Sequence, residues 1–345
     1  MSATPYVAHL NLASGFRGGE RQTLALIEAL AGTLRQRAIV RRGGELAEQL
    51  ADVDVELIAV SGTPISAVRA TAGCDLLHVH EGRSVQTAAL RRLVSRTPFI
   101  VTRRIPQRPS ATALWCYRQA HTVVSVSAAI GKVLTACDKR IRPVTVPDCV
   151  PPLSADPAVA ARLRGDTELV VGQCGELHDA HKGQRLTIEV ARRMAETHPQ
   201  VEFWLIGQGR DEQDLRAAAA GLQNVRFVGW TDNVADYYAA MDVMVYPSRY
   251  EGLGSAILEA MLFGVPVVAA RVGGIPEIVV HEENGLLFAP GDADDFVTRL
   301  TALVENPALR ERLGAAARQQ AARHTPEVMA GQYRDIYAQI LGHAA

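Results

Sequence analysis

Short apolar runs alternate with amphipathic stretches along the whole chain, the pattern of strands and helices in strict succession. In the first half, strands are expected at Tyr6–Leu12, Ala38–Val40, Val55–Val60, Asp75–His80, Pro98–Thr102 and Thr122–Ser125, with a helix over about Glu20–Ala31. The stretch 146–152 then brings Pro147, Pro151 and Pro152 close together. Proline removes backbone donors and disfavours helix before it, so this stretch reads as a hinge. A second alternation follows, with strands at Glu168–Cys174, Val201–Ile206, Val225–Val228, Val243–Tyr246 and Val265–Ala269, and a last helix over Pro326–Leu341. The fold class expected is α/β, two doubly wound lobes with parallel sheets covered by helices on both faces. Ligands of such sheets bind beyond the carboxyl ends of the strands, so two lobes facing each other would make a cleft.

Composition narrows the picture. The chain has 345 residues, 48% hydrophobic and 21% charged, enough for two buried cores and unlike a disordered polymer. No run reaches the roughly 18 to 20 apolar residues of a membrane helix. The first apolar stretch is broken by His9 and Asn11 and lacks a basic lead-in, which argues against a secretory signal. Five scattered cysteines, none in a C-x-x-C pair, suit a reducing cytoplasm better than a disulfide framework. The net charge of −1 conceals an asymmetry: residues 1–165 carry 21 Lys+Arg against 12 Asp+Glu, and residues 166–345 carry 15 against 25. A basic first lobe, with Arg91, Arg92, Arg96, Arg103, Arg104 and Arg108 close together, favours an anionic partner. It would suit contact with the inner face of the cytoplasmic membrane, with binding to anionic vesicles that salt weakens.

Candidate chemistry lies just after strands. Gly18 and Gly19 precede the first helix, where bare backbone can approach an anion. Their spacing does not match G-x-G-x-x-G, and Arg41-Arg42 stand where a ribose-binding acid would be, so only an NADP-type oxidoreductase keeps a place as an alternative. His78 and His80 lie on one face of a strand; with no third ligand evident, His80 is taken as an acceptor-side residue and no metal site is assigned. The Asp52/Asp54 and Asp292/Asp294 pairs are poor metal ligands, the second resembling a helix cap. Arg103, one residue past the next expected strand, is placed to face an anion. In the second lobe Lys182 follows a strand and precedes a helix, well placed to neutralise a phosphate. Farther on, Glu251 and Glu259 stand eight apart, with Gly252, Leu253 and Gly254 between a strand and a helix N-terminus. Glu259 is the only charged residue from Ser255 to Ala270, and a buried carboxylate needs an ion partner or ligand hydroxyls.

The segment from Glu251 to Glu259 resembles the E-x7-E motif of retaining GT-B glycosyltransferases of family 4, the glycosyl transferases group 1 of bacteria. The resemblance continues through Gly264–Val268, Gly273–Ile278 and Asn284–Leu287, and upstream through Lys182-Gly183, the turn at Gly207 and Val228–Trp230. The first lobe is similar more loosely, through Gly18-Gly19-Glu20 and the segment 102–127.

The resemblance implies two Rossmann-like domains: 1–149 on the acceptor side, with the helix at 326–345 crossing back onto it, and 150–325 binding the donor. It implies a metal-independent, retaining transfer of sugar from a nucleotide-diphosphate sugar to a cell-envelope glycan or glycolipid, such as a lipopolysaccharide core, without a cofactor. Glu251 would hold donor-sugar hydroxyls, Glu259 the ribose, and Lys182 the diphosphate, helped by amides near Leu253 and by Gly18 and Gly19. Glu176 departs from the pattern, standing where a second diphosphate-binding arginine is usual, and Arg103 is expected to restore part of that charge. A protein that binds nucleotide sugar without catalysis is the other alternative.

Overall fold

The computed structural model describes residues 4–342. It divides into two compact units: one runs to Pro151 and takes back the chain from His324, and the other runs from Pro152 to Arg323. The first holds strands β1 (Tyr6–Asn11), β2 (Arg35–Arg41), β3 (Glu56–Val60), β4 (Leu76–Val79), β5 (Phe99–Arg103), β6 (Thr122–Ser125) and β7 (Val144–Thr145) in one sheet, ordered β3-β2-β1-β4-β5-β6-β7. The second holds β8 (Leu169–Cys174), β9 (Val201–Ile206), β10 (Val225–Gly229), β11 (Val243–Tyr246), β12 (Val267–Ala270) and β13 (Gly285–Phe288), ordered β10-β9-β8-β11-β12-β13. The strand pairings within both sheets are parallel.

In each sheet the winding direction reverses beside the first strand, between β1 and β4 and between β8 and β11. Connections leaving those two strands go to opposite sides, so a crevice opens at their carboxyl ends. Gly18-Gly19 and His80 lie at the first such point; Lys182 and the segment 247–254 lie at the second.

The final helix, Pro326–Leu341, starts from a Thr325 cap and buries Met329, Ala330, Tyr333, Ile336 and Tyr337 against Val7, Leu26, Leu30 and Ile100 of the first unit. The stretch around Cys149 also belongs to that unit. Gln22 grips its backbone at both ends, Nε2 donating to the Cys149 carbonyl at 2.7 Å and Oε1 accepting from its amide at 2.8 Å.

Several elements differ from the sequence expectation for physical reasons. The first helix starts at Gly18 rather than Glu20, because Glu20 serves as its third residue and accepts the Arg17 amide at 3.0 Å. Strand β2 begins at Arg35, three residues early, since Arg35 and Arg37 lay their guanidinium groups over the Tyr6 ring at 4.5 and 5.0 Å. Strands β7 and β13 were not expected. β7 has only two residues, both exposed, and β13 opens on Gly285 after Asn284, residue types that strands disfavour. Asp292 is a helix cap, accepting from the amides of Asp294 and Asp295.

Candidate functional site

At the second crevice the chain leaves β8, makes a single helical turn over Asp179–Lys182, and passes through Gly183 into the helix Gln184–Met194. Gly183 has φ +68°, and a Cβ there would collide with the Pro247 carbonyl. Glycine therefore seats this turn against the segment that follows β11. The Lys182 carbonyl accepts from Gln173 Nε2 at 2.8 Å, and Thr187 holds the same amide from its other end.

This local scaffold aims the Lys182 ammonium at two groups. Nζ donates to Glu251 Oε2 at 2.8 Å and to the Tyr246 hydroxyl at 2.9 Å, and that hydroxyl donates to Glu251 Oε2 at 3.0 Å. His181 Nε2 lies 3.7 Å from the same oxygen, its ring stacked on Tyr250 with centroids 4.2 Å apart. Lys182, Tyr246 and His181 thus converge on one oxygen of Glu251, Oε2. Burial alone would push Lys182 down and Glu251 up; Tyr246 and Glu251 instead hold Lys182 above the ordinary lysine value, and Lys182 holds Glu251 below the ordinary carboxylate value. Both side chains are charged at neutral pH. Burial, then Lys182, lowers the His181 imidazole.

Gly252, Leu253 and Gly254 are buried between Glu251 and the helix Ser255–Leu262, whose cap is Gly254 at φ +96°. A Cβ on Gly273 would collide with the Glu251 carbonyl, so the Gly273-Gly274 turn packs directly beneath the first acid. Glu259, one turn into the helix, accepts from the Tyr238 hydroxyl at 3.0 Å. Gly207 closes against the Gly175 backbone, where only a bare Cα fits, and Glu176 is exposed beside it. Structure thus gathers Lys182, Glu251 and Gly252–Gly254 into one site, with Glu259 on the adjoining helix and Glu176 and Gly207 on its flank.

The tyrosines Tyr246 and Tyr238 were missed. An aromatic at the end of a strand or within a helix reads as core, and only a buried hydroxyl's need for a partner could have pointed to them.

The first unit bears on two expectations. Arg103, expected to face an anion, is buried at the end of β5 with its guanidinium hydrogen-bonded inside the unit. Its guanidinium is spent on its own loop, Nε donating to the Ile105 carbonyl at 3.0 Å, Nη2 to that of Gln107 at 2.6 Å and Nη1 to the Tyr117 hydroxyl at 3.1 Å. His80 has a third histidine beside it after all: His9 of β1, which sits opposite His78 in register and meets His80 Nε2 through its Nδ1 at 3.1 Å. The trio is nonetheless poorly arranged for a metal. The His78 and His80 rings are 3.8 Å apart at 35°, so their in-plane lone pairs run side by side rather than converging. Both nitrogens of His78 are also engaged, with Tyr337 at 2.7 Å and Thr102 at 2.8 Å. Above the trio, Arg104 pairs with Asp148 at 3.0 Å, donates to the His80 carbonyl at 3.2 Å and runs its side chain past Gly19.

Two parallel, doubly wound sheets, each in its own unit, are the architecture of the GT-B fold. Anabaena HepE in complex with UDP has the same fold, with TM-score 0.84 at 20% identity over 97% of this chain and all of that one. So does the sucrose-phosphate synthase of Thermosynechococcus elongatus, with TM-score 0.82 at 22% identity over 98% and 99%. Residues 168–306 match the family model Glycosyl transferases group 1. The sulfoquinovosyl transferase SQD2 of Arabidopsis thaliana is 38% identical over 149 residues, 42% of this chain and 29% of that protein. The lipopolysaccharide core biosynthesis glycosyltransferase LpsE of Rhizobium meliloti is 35% identical over 168 residues, 46% of each chain. The matched stretch spans less than half the length of either relative.

Proposed function

We propose that the protein is a retaining glycosyltransferase that moves a sugar from a nucleotide-diphosphate sugar to a cell-envelope glycan or glycolipid acceptor bearing negative charge, without a metal. The observation that carries this reading is the largely buried Lys182 ammonium, held against Glu251 and Tyr246 at the carboxyl ends of β8 and β11. A preorganised cation there, with the amides at the start of the helix Ser255–Leu262, stabilises a leaving diphosphate as its charge grows. Glu251 holds hydroxyls of the donor sugar and Glu259 those of the ribose. In the transfer, the acceptor oxygen bonds to the anomeric carbon on the face from which the phosphate oxygen departs, and the diphosphate takes the acceptor proton. Because Lys182 and the helix amides carry the charge stabilisation, no divalent ion is required.

The test is transfer or donor hydrolysis across a panel of UDP, GDP and ADP sugars, in EDTA, for the wild type and Glu251→Gln. Turnover undiminished by EDTA and lost in the variant is expected. Strong inhibition by EDTA refutes metal independence, and full turnover by Glu251→Gln refutes the role of the acid.

A further inference from the structure

The helix Ser84–Val94 in the first unit is inverted. It buries small and polar residues, Ser84, Thr87, Ala88 and Ala89 with Val85, while its largest apolar side chains face water. Leu93 is 72% exposed and Val94 71%, and Leu90 completes the i, i+3, i+4 stripe. The helix packs between two others, Pro64–Ala70 and Ala111–Gln119, and each adds one exposed apolar side chain, Ile65 and Trp115. A helix that only filled a fold would turn this stripe inward, so its exposure marks a contact surface.

Charge identifies what it contacts. Residues 61–120 contain nine arginines and two acids. Both acids are turned onto backbone: Asp75 accepts the Tyr6 amide, and Glu81 the amides of Leu12, Arg83 and Ser84. Arg91 and Arg92 lie in the last turn of the inverted helix, and Arg96 follows it, so the apolar stripe is bordered by cations, none of which forms a salt bridge among the described residues.

We infer that this face docks on an anionic lipid bilayer, with Leu90, Leu93 and Val94 seated at the headgroup boundary and Arg91, Arg92 and Arg96 against lipid phosphates. Nucleic acid would use the arginines and leave the apolar stripe in water; a bilayer interface takes both. The surface lies within the first unit and does not depend on the donor chemistry.

The experiment is cosedimentation of the full chain with vesicles of phosphatidylglycerol and phosphatidylcholine, and with phosphatidylcholine alone. Binding only to the anionic vesicles, weakened by salt, is expected. Arg91→Gln/Arg92→Gln/Arg96→Gln should lower binding roughly a hundredfold. Leu93→Ser/Val94→Ser, on exposed positions that leave the fold intact, should lower it about tenfold or more. Glu251→Gln should bind like the wild type, so failure of the donor reading and failure of this one are separable. Absence of binding to anionic vesicles, or equal binding by both surface variants, overturns the inference. It is also overturned if, without vesicles, the chain self-associates through Leu93 and Val94, or if a soluble acidic polysaccharide binds Leu93→Ser/Val94→Ser as tightly as the wild type.

Discussion

Replacing Lys182 by Met and Glu251 by Gln, singly and together, separates what the pair does for the fold from what it does for ligand. The two side chains are 16% and 13% exposed and meet at 2.8 Å, so each single change strands a largely buried charge or dipole. Removing one partner of such a pair costs about 3 to 5 kcal/mol. The lower end applies to Glu251→Gln, because the amide can still accept from Tyr246. The double variant strands neither charge, and its cost should fall below the sum of the singles by about 2 kcal/mol. Denaturation followed by tryptophan emission reads this, since Trp204 is fully buried in the second unit. Ligand affinities complete the test. Lys182→Met should lose nucleoside diphosphate binding and, where it still turns over, two to three decades in kcat. Glu251→Gln should keep nucleoside diphosphate affinity and lose the additional affinity that the attached sugar confers. Additive stabilities would refute the coupling, and unaltered diphosphate binding by Lys182→Met would refute its phosphate role.

Two further outcomes follow from the first unit. Burial holds His9 down at about 4, against an opposing pull from Gln36, and lowers His78 and His80 well below the usual imidazole value. The unfolded chain protonates these rings near pH 6.5 and the folded one does not, so stability present above that pH is lost as pH falls toward 4. At pH 5 the loss is roughly 2 kcal/mol for each histidine, and the protection of β1 and β4 amides, corrected for the intrinsic pH dependence of exchange, should fall between pH 7 and pH 5; unchanged protection would contradict this. Arg103→Ala should destabilise the first unit by about 1 to 3 kcal/mol, as its three partners lose a donor, while leaving kcat and donor affinity of the folded protein unchanged. A selective fall in kcat would return Arg103 to the chemistry.

The strand order of neither sheet can be seen in the chain, yet most strands can, because buried parallel strands are written as nearly unbroken apolar runs such as Val243–Tyr246. Glu251, Lys182 and Glu259 were legible for a related reason: charged groups at strand ends or within an apolar helix are costly unless used. The tyrosine hydroxyls were not, since an aromatic satisfies the core pattern whether or not its oxygen has a task. His9 illustrates the same limit. Within β1 it reads as an interruption of an apolar run, and only the pairing of β1 with β4 sets it opposite His78. Arg103 shows the converse limit: its place at a strand's carboxyl end suggested a role toward an anion, and nothing in the sequence showed the three acceptors in the following loop and helix that hold the guanidinium.

Glu251 is balanced by an ammonium that also belongs, on the proposed function, to the diphosphate. A diphosphate that draws Lys182 toward itself weakens the ion pair and leaves Glu251 short of donors in a site where an unsatisfied carboxylate is expensive. Sugar hydroxyls supply those donors. Lys182 then couples the two halves of one ligand: the intact nucleotide sugar satisfies both charges, while the nucleoside diphosphate left after transfer satisfies only one, which favours its release.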